Sequence, residues 1–192
     1  MKVIVDTREQ HPLKFSNSNI IEGTVIRKLD VGDYSIEGLE DKIAIERKSP
    51  QDLFGTLGKG HKRFKAELER AKSLDYFGIV VEAPFLDVYQ KSFKNSHYSQ
   101  MRGDVIIKQC CTIEMKYPNV RFWFCNSRAE ATTLIRNIFK SYEKREITLN
   151  KPNKYEGEMF DNHEIDFNSE ECPKLESQER CIHYLNCNGG KL

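Results

Sequence analysis

Apolar positions in this chain fall in short runs separated by polar, glycine- or proline-bearing connections, a rhythm that predicts strands alternating with helices. Lys2-Val3-Ile4-Val5-Asp6 has the length of a core strand and is too short an apolar run for an export signal. The stretch 10–22, with Pro12, Ser16, Asn17 and Asn19, predicts a loop, and 24–29 the next strand. Tyr34-Ser35-Ile36 and residues 43–48 flank a turn around 38–41 and predict a hairpin. If that turn centres on Leu39 and Glu40, antiparallel pairing sets Asp33 opposite Glu46. The unbroken run 77–82 is of central-strand type, and 119–125 predicts the last strand.

Helix signals fill the gaps. Ser49-Pro50-Gln51-Asp52 offers an N-cap, a proline at the first helical position and the acid of a capping box. Gly58-Lys59-Gly60 interrupts that helix. A basic amphipathic one follows over 61–73, with Phe64, Leu68 and Ala71 as its apolar stripe. A polar loop over 90–99 precedes a helix at 100–116, and Ser127 with Glu130 opens another that runs to about 145. Strands and helices alternating in this way predict an α/β domain over 1–148. A linker over 149–169 and a tail over 170–192 complete the chain.

Composition narrows the function classes. With 39% hydrophobic residues the chain can fill a core, and no apolar run is long enough to span a membrane. With no export signal, the cysteines are read as reduced thiols of an intracellular rather than a secreted protein. The net charge of +1 hides an asymmetry: residues 150–192 carry nine acids and five bases, which leaves +5 on the rest. A mildly basic body suits an anionic partner.

The candidate chemistry begins with a charge anomaly. The strand 43–48 is apolar until it ends in Glu46, Arg47 and Lys48, and Asp33 precedes its partner strand. Glu46 and Lys48, two residues apart, project from one face. Asp6 and Glu9 follow the first strand, so four acids stand at strand ends that could converge on one sheet edge. Two carboxylates about 4 Å apart repel by about 4 kcal/mol at an effective dielectric of 20. A raised pKa or a bound cation must offset that. Oxygen ligands without His or Cys favour Mg²⁺ or Mn²⁺ over zinc. Lys48 could orient a water or stabilise charge developing on a phosphate.

Gly32-Asp33, then Glu46-Arg47-Lys48, then Asp52 resemble the G-D-x(n)-E-R-K-x-x-x-D signature of XPF-type structure-specific endonucleases. Val5-Asp6-Thr7-Arg8-Glu9 is similar to that family's first-strand motif, and the resemblance covers roughly 1–145. It implies a restriction-endonuclease-like core, a central mixed sheet flanked by helices, which a short C-terminal accessory tail follows in this chain. It also implies Mg²⁺- or Mn²⁺-dependent cleavage of branched DNA such as flaps, forks or Holliday-type junctions. Carried over, Asp33 and Glu46 would be the main metal ligands, assisted by Asp6 and Glu9. Lys48 would be the catalytic lysine, and Arg8 and Arg47 would contact phosphate or brace the acids. Asp52 would support Arg47 or the helix cap. Lys59, His61, Lys62 and Arg63 offer a phosphate surface that positions a duplex without reading its sequence.

The chain departs from the family pattern after the core, where no glycine-rich helix-hairpin-helix segment follows. The resemblance also implies homodimerisation through the nuclease domain, for which the helix at 129–142 is a candidate, with ordinary core as the alternative role of Leu134, Ile135 and Ile138. In the tail, Cys172, Cys181, His183 and Cys187 fall within 16 residues and could hold structural Zn²⁺. The alternative is a tail of flexible or peripherally packed structure without metal. Two other readings stand beside the enzyme: a DNA-binding scaffold subunit with a nuclease-like fold, or a nuclease for linear or single-stranded nucleic acid. Intact Asp33, Glu46 and Lys48 argue against the scaffold.

Overall fold

A computed structural model describes residues 1–15 and 20–150. Six strands form one mixed sheet: β1 (Lys2–Val5), β2 (Gly23–Ile26), β3 (Tyr34–Ile36), β4 (Ile43–Lys48), β5 (Tyr76–Val81) and β6 (Val120–Phe124). Their order across the sheet is β2-β1-β3-β4-β5-β6. β1 runs antiparallel to β3 and β3 to β4, while the β1–β2, β4–β5 and β5–β6 pairs are parallel. Tyr34 pairs with Ile45, the register that centres the hairpin turn on Leu39 and Glu40.

The two faces of the sheet are covered by different helices because β4 and β5 are apolar on both sides. Ala44, Phe77, Ile79 and Val81 pack with helices α1 (Pro50–Leu57), α2 (His61–Ala71), α3 (Phe85–Gln90) and α4 (Gly103–Lys116). Ile43, Ile45 and Val80 face α5 (Arg128–Leu149) through Ala131, Ile135 and Phe139, all fully buried. The parallel β4–β5 and β5–β6 pairs need crossovers, and α1–α2 and α3–α4 supply them. Alternation along β4 therefore sends Glu46 and Lys48 toward α1 and α2, and Arg47 toward α5. Ser49 caps α1, accepting from the Asp52 N–H, and Ser127 caps α5 in the same way through Glu130.

Three of the differences from the sequence reading have a plain physical reason. β2 ends at Ile26 rather than 29, because Leu29 N–H donates to Asp6 Oδ2 (2.6 Å) and its carbonyl accepts from Arg8 Nη2 (2.7 Å). Helix α3 was not expected: six residues are too few to display a helical period, and Val88 is the one buried there. α5 runs to Leu149 because Glu146, itself buried, accepts from Lys42 Nζ at 2.6 Å.

Gly32 turns the chain into the site. Its φ is +76°, and a Cβ there would lie 2.9 Å from the Ile45 carbonyl oxygen. Gly32→Ala is expected to cost about 2–3 kcal/mol, from left-handed backbone strain plus the clash. A thermal melt of the variant checks this, and an unchanged midpoint would refute it.

Candidate active site

The site lies where β3 begins and β4 ends. Asp33 directly precedes Tyr34 and Glu46 directly follows its partner Ile45, and the charge of Asp33 acts on Glu46. Asp33 is fixed by its own backbone: its N–H donates to the Ile45 carbonyl (2.8 Å), and its carbonyl accepts from the Asp6 N–H (2.8 Å). Its Oδ2 accepts the Arg47 backbone N–H at 2.8 Å. Glu46 and Lys48 are both buried, and Lys48 Nζ donates to Glu46 Oε1 in a short ion pair. The ammonium also lies 5.7 Å from the centroid of the Phe64 ring on α2.

Both carboxyls of this pair titrate above their ordinary range. Burial lifts Glu46 first, and the charges of Asp33 and Glu67 add to it, outweighing the attraction of Lys48. Burial also lifts Asp33, with Glu9 adding and the Arg47 N–H opposing. Lys48 is held above its usual value despite burial, because Glu46, Glu67 and Asp33 surround it. Carboxyls withdrawn from water at strand ends in the middle of the sheet, each costly to ionise, are what a hard cation would relieve. Mg²⁺ commonly takes only one or two protein carboxylates, with waters and substrate phosphates completing its shell. Asp33 and Glu46 fit that requirement.

The other two acids are placed differently. Asp6 is buried and spends its oxygens on Arg8 Nε (2.7 Å), Arg8 N (2.8 Å), Arg8 Nη2 (3.1 Å) and Leu29 N. Burial opposes its ionisation, but these donors prevail and its pKa falls. Glu9 accepts from Arg47 Nη2 (3.0 Å) and Nε (3.2 Å) and from the His11 N–H (2.7 Å). Its pKa is also lowered, these bonds outweighing burial. No group of three or more His, Cys, Asp or Glu side chains converges with metal-holding geometry among the described residues. The four acids expected at one edge thus divide into a pair that faces Lys48 and two that are held by arginines.

Arg47 is itself enclosed. Besides Glu9 it reaches Glu82 Oε2 at 3.3 Å, and Arg128 of α5 approaches Glu82 from the other side at 3.2 Å. Arg8, more exposed, holds Asp6 and the Leu29 carbonyl. Both arginines brace acids and backbone. Asp52 serves the α1 cap, accepting from Ser49 Oγ at 2.7 Å. Lys59, His61, Lys62 and Arg63 are all exposed along the start of α2. Ile135 is core, and Leu134 and Ile138 lie half-buried against it. Beyond Asn150 the linker, and the tail with Cys172, Cys181, His183 and Cys187, lie outside the described residues.

Sequence reasoning missed two acids. Glu82 ends an apolar strand just as Glu46 does, a signal that was available. Glu67, half-buried on α2, acts on Glu46, Lys48 and Arg8 through its charge. Its only signal was its place one turn beyond Phe64.

A family model described as the ERCC4 domain matches residues 5–138. The chain belongs to the ERCC4 domain family. Its fold is that of XPF nucleases. Over 78% of this chain and 68% of the other, it is similar to XPF from Aeropyrum pernix at 19% identity and a TM-score of 0.56. It is also similar to XPF from Aeropyrum pernix in complex with DNA, at 20% identity and a TM-score of 0.52, over 76% of this chain and 66% of that one. The ERCC4 domain here therefore spans about two thirds of those chains. No curated protein matches it. Among the described residues, no helix of this ERCC4 domain is long and apolar enough to cross a membrane.

Proposed function

We propose that this ERCC4 domain is a Mg²⁺- or Mn²⁺-dependent DNA endonuclease acting on branched DNA. The observation that carries the reading is the Asp33–Glu46 pair, two carboxyls with raised pKa values beside a buried lysine, on an ERCC4 fold. Asp33 and Glu46 would hold the cation, which when bound supplies positive charge to the scissile phosphate and makes water a better nucleophile. Lys48 stays protonated among its acids and presents its ammonium to charge developing on the phosphate. Arg47 and Arg8 keep Glu9 and Asp6 ionised and in place, so that the backbone carrying Asp33 is held on both sides. The exposed Lys59, His61, Lys62 and Arg63 supply phosphate contacts that position a duplex.

Homodimerisation through the domain is part of the same proposal. β6 is an edge strand and Trp123 on it is exposed, its indole donating to Tyr76 Oη at 2.7 Å. The test is purified protein on flap, fork, Holliday-type, linear duplex and single-stranded DNA, with Mg²⁺ and with chelator, its mass measured in solution. Cleavage of branched members that chelator abolishes is the expected outcome. Equal cutting of linear or single-stranded DNA would overturn the branched preference, and no cutting at all would overturn the enzyme reading.

A further inference from the structure

Helix α1 carries a glycine, Gly55, in its interior, where packing does not demand one. A Cβ built on it meets no atom within 4 Å, and glycine is the poorest helix former after proline. Gly55 lines a cavity of about 650 Å³ between α1 and the segment 91–101. A local rule broken without a packing reason points to a site.

The cavity is built rather than incidental. Asn95, a non-glycine residue of its lining, is left-handed (φ 63°). Lys91 Nζ donates to the Ser99 carbonyl (2.7 Å), and Gln51 Nε2 reaches across from α1 to the Lys94 carbonyl (2.5 Å). The apolar wall is Phe93, half-buried, tilted against Phe54 with ring centroids 5.0 Å apart. Asn95, Gln100 and Lys59 are also among the lining residues, and no lining residue is acidic.

We propose that this cavity receives one unpaired nucleobase of the DNA substrate. The proposal rests on the DNA-nuclease reading and deepens it. Its volume falls in the range of small-ligand pockets. An aromatic wall offers a stacking surface for any base, and side-chain amides can pair with a base edge. Lys59, which also begins the basic run leading into α2, suits the neighbouring phosphate. A base in a duplex presents no free face to such a cavity and must leave the stack to enter. The selectivity is thus for DNA with an unpaired base beside a duplex, which a fork or flap supplies. α1 leaves β4 directly after Lys48, so a base held against this helix fixes the strand relative to the catalytic edge.

The test uses the full chain, without divalent metal, and forked DNA carrying 2-aminopurine moved one position at a time through the single-stranded arm. Binding should quench fluorescence roughly two-fold at one position. Gly55→Leu places a side chain in the cavity without touching the core. It should remove that quench and weaken fork binding by about ten-fold, the loss of one stacked base. Gly55→Ala should keep the quench. Asn95→Gly, which preserves the left-handed backbone and deletes the amide, should diminish it and guards against a folding failure in the leucine variant. An undiminished quench in both Gly55→Leu and Asn95→Gly would overturn the proposal. So would no quench at any position of a fork that the protein binds and cuts. A cavity-dependent quench on a fork that is never cut would support the base site and overturn the catalytic reading instead.

Discussion

Asp33→Asn is expected to lower cleavage by about 10³-fold or more while raising the melting temperature of the metal-free protein. The loss of activity follows from the proposed function: one of the two carboxylates proposed to hold the cation is replaced by a neutral amide, and the electrostatic contribution of a metal is worth several kcal/mol of barrier. The gain in stability follows from the pKa direction. Asp33 and Glu46 are both raised in the fold above their unfolded values, by burial first and by neighbouring acids after it. Groups of this kind contribute stability that is present below the unfolded carboxylate pKa and is lost as pH rises through the raised folded values. At neutral pH the metal-free protein therefore carries a cost that a neutral amide at this position would not. An amide oxygen can still accept the Arg47 N–H that Asp33 now accepts. Each kcal/mol relieved should move the midpoint up by about 2–4 °C in a chain of this size. Melts at pH 5 and 8, with and without Mg²⁺, check it. Mg²⁺ should stabilise the unsubstituted protein more at pH 8 than at pH 5, and the variant little at either. A midpoint that falls in the variant would mean that Asp33 is satisfied by its present partners rather than poised for a cation.

Arg47→Ala should have the opposite character, a large loss of stability at neutral pH. Arg47 stands between Glu9 and Glu82, and all three side chains are largely buried. Removing one partner of a buried ion pair strands the other, at about 3–5 kcal/mol. Glu82 keeps Arg128, so most of the cost falls on Glu9. Glu9 has a lowered pKa in the fold, so its contribution is present above the unfolded carboxylate value and is lost as pH falls through the folded one. The destabilisation should accordingly be greatest at pH 7 and above, and should shrink in acid as Glu9 takes a proton. The midpoint should fall by on the order of 10 °C at neutral pH. A loss below about 1 kcal/mol at pH 7 would show that the ion pair is replaceable by water. These two residues are adjacent to the same acid edge, yet one is held at a cost and the other supports the fold.

The hairpin is the part of the site most legible in the chain. Tyr34-Ser35-Ile36, the turn and residues 43–48 carry their own register, because a period of two and a short turn leave few ways to pair. From that register came the neighbourhood of Asp33 and Glu46, and the separation of Lys48 from Arg47 onto opposite faces. Helix starts at Ser49 and Ser127 were legible for a similar reason: capping is a matter of three or four adjacent residues. The assignment of Asp6 and Glu9 was not legible. Which backbone and which arginine these two carboxylates meet depends on where Leu29 and Arg47 arrive, 23 and 38 residues away in the chain.

Alone, the sequence determined the alternation of strands and helices, the charged end of β4, and the signature that joins Asp33 to Glu46, Arg47 and Lys48. These are local, set by hydrophobic period, turn chemistry and capping. The tertiary structure alone decided that the charge of Glu67 on α2 reaches Glu46 and Lys48, that Glu82 shares Arg47, and that Gly55 faces open space rather than a neighbour. Each of those depends on packing between elements far apart in the chain. Spacing along a sequence records which face a residue occupies, and only the packing of one face on another records what it meets.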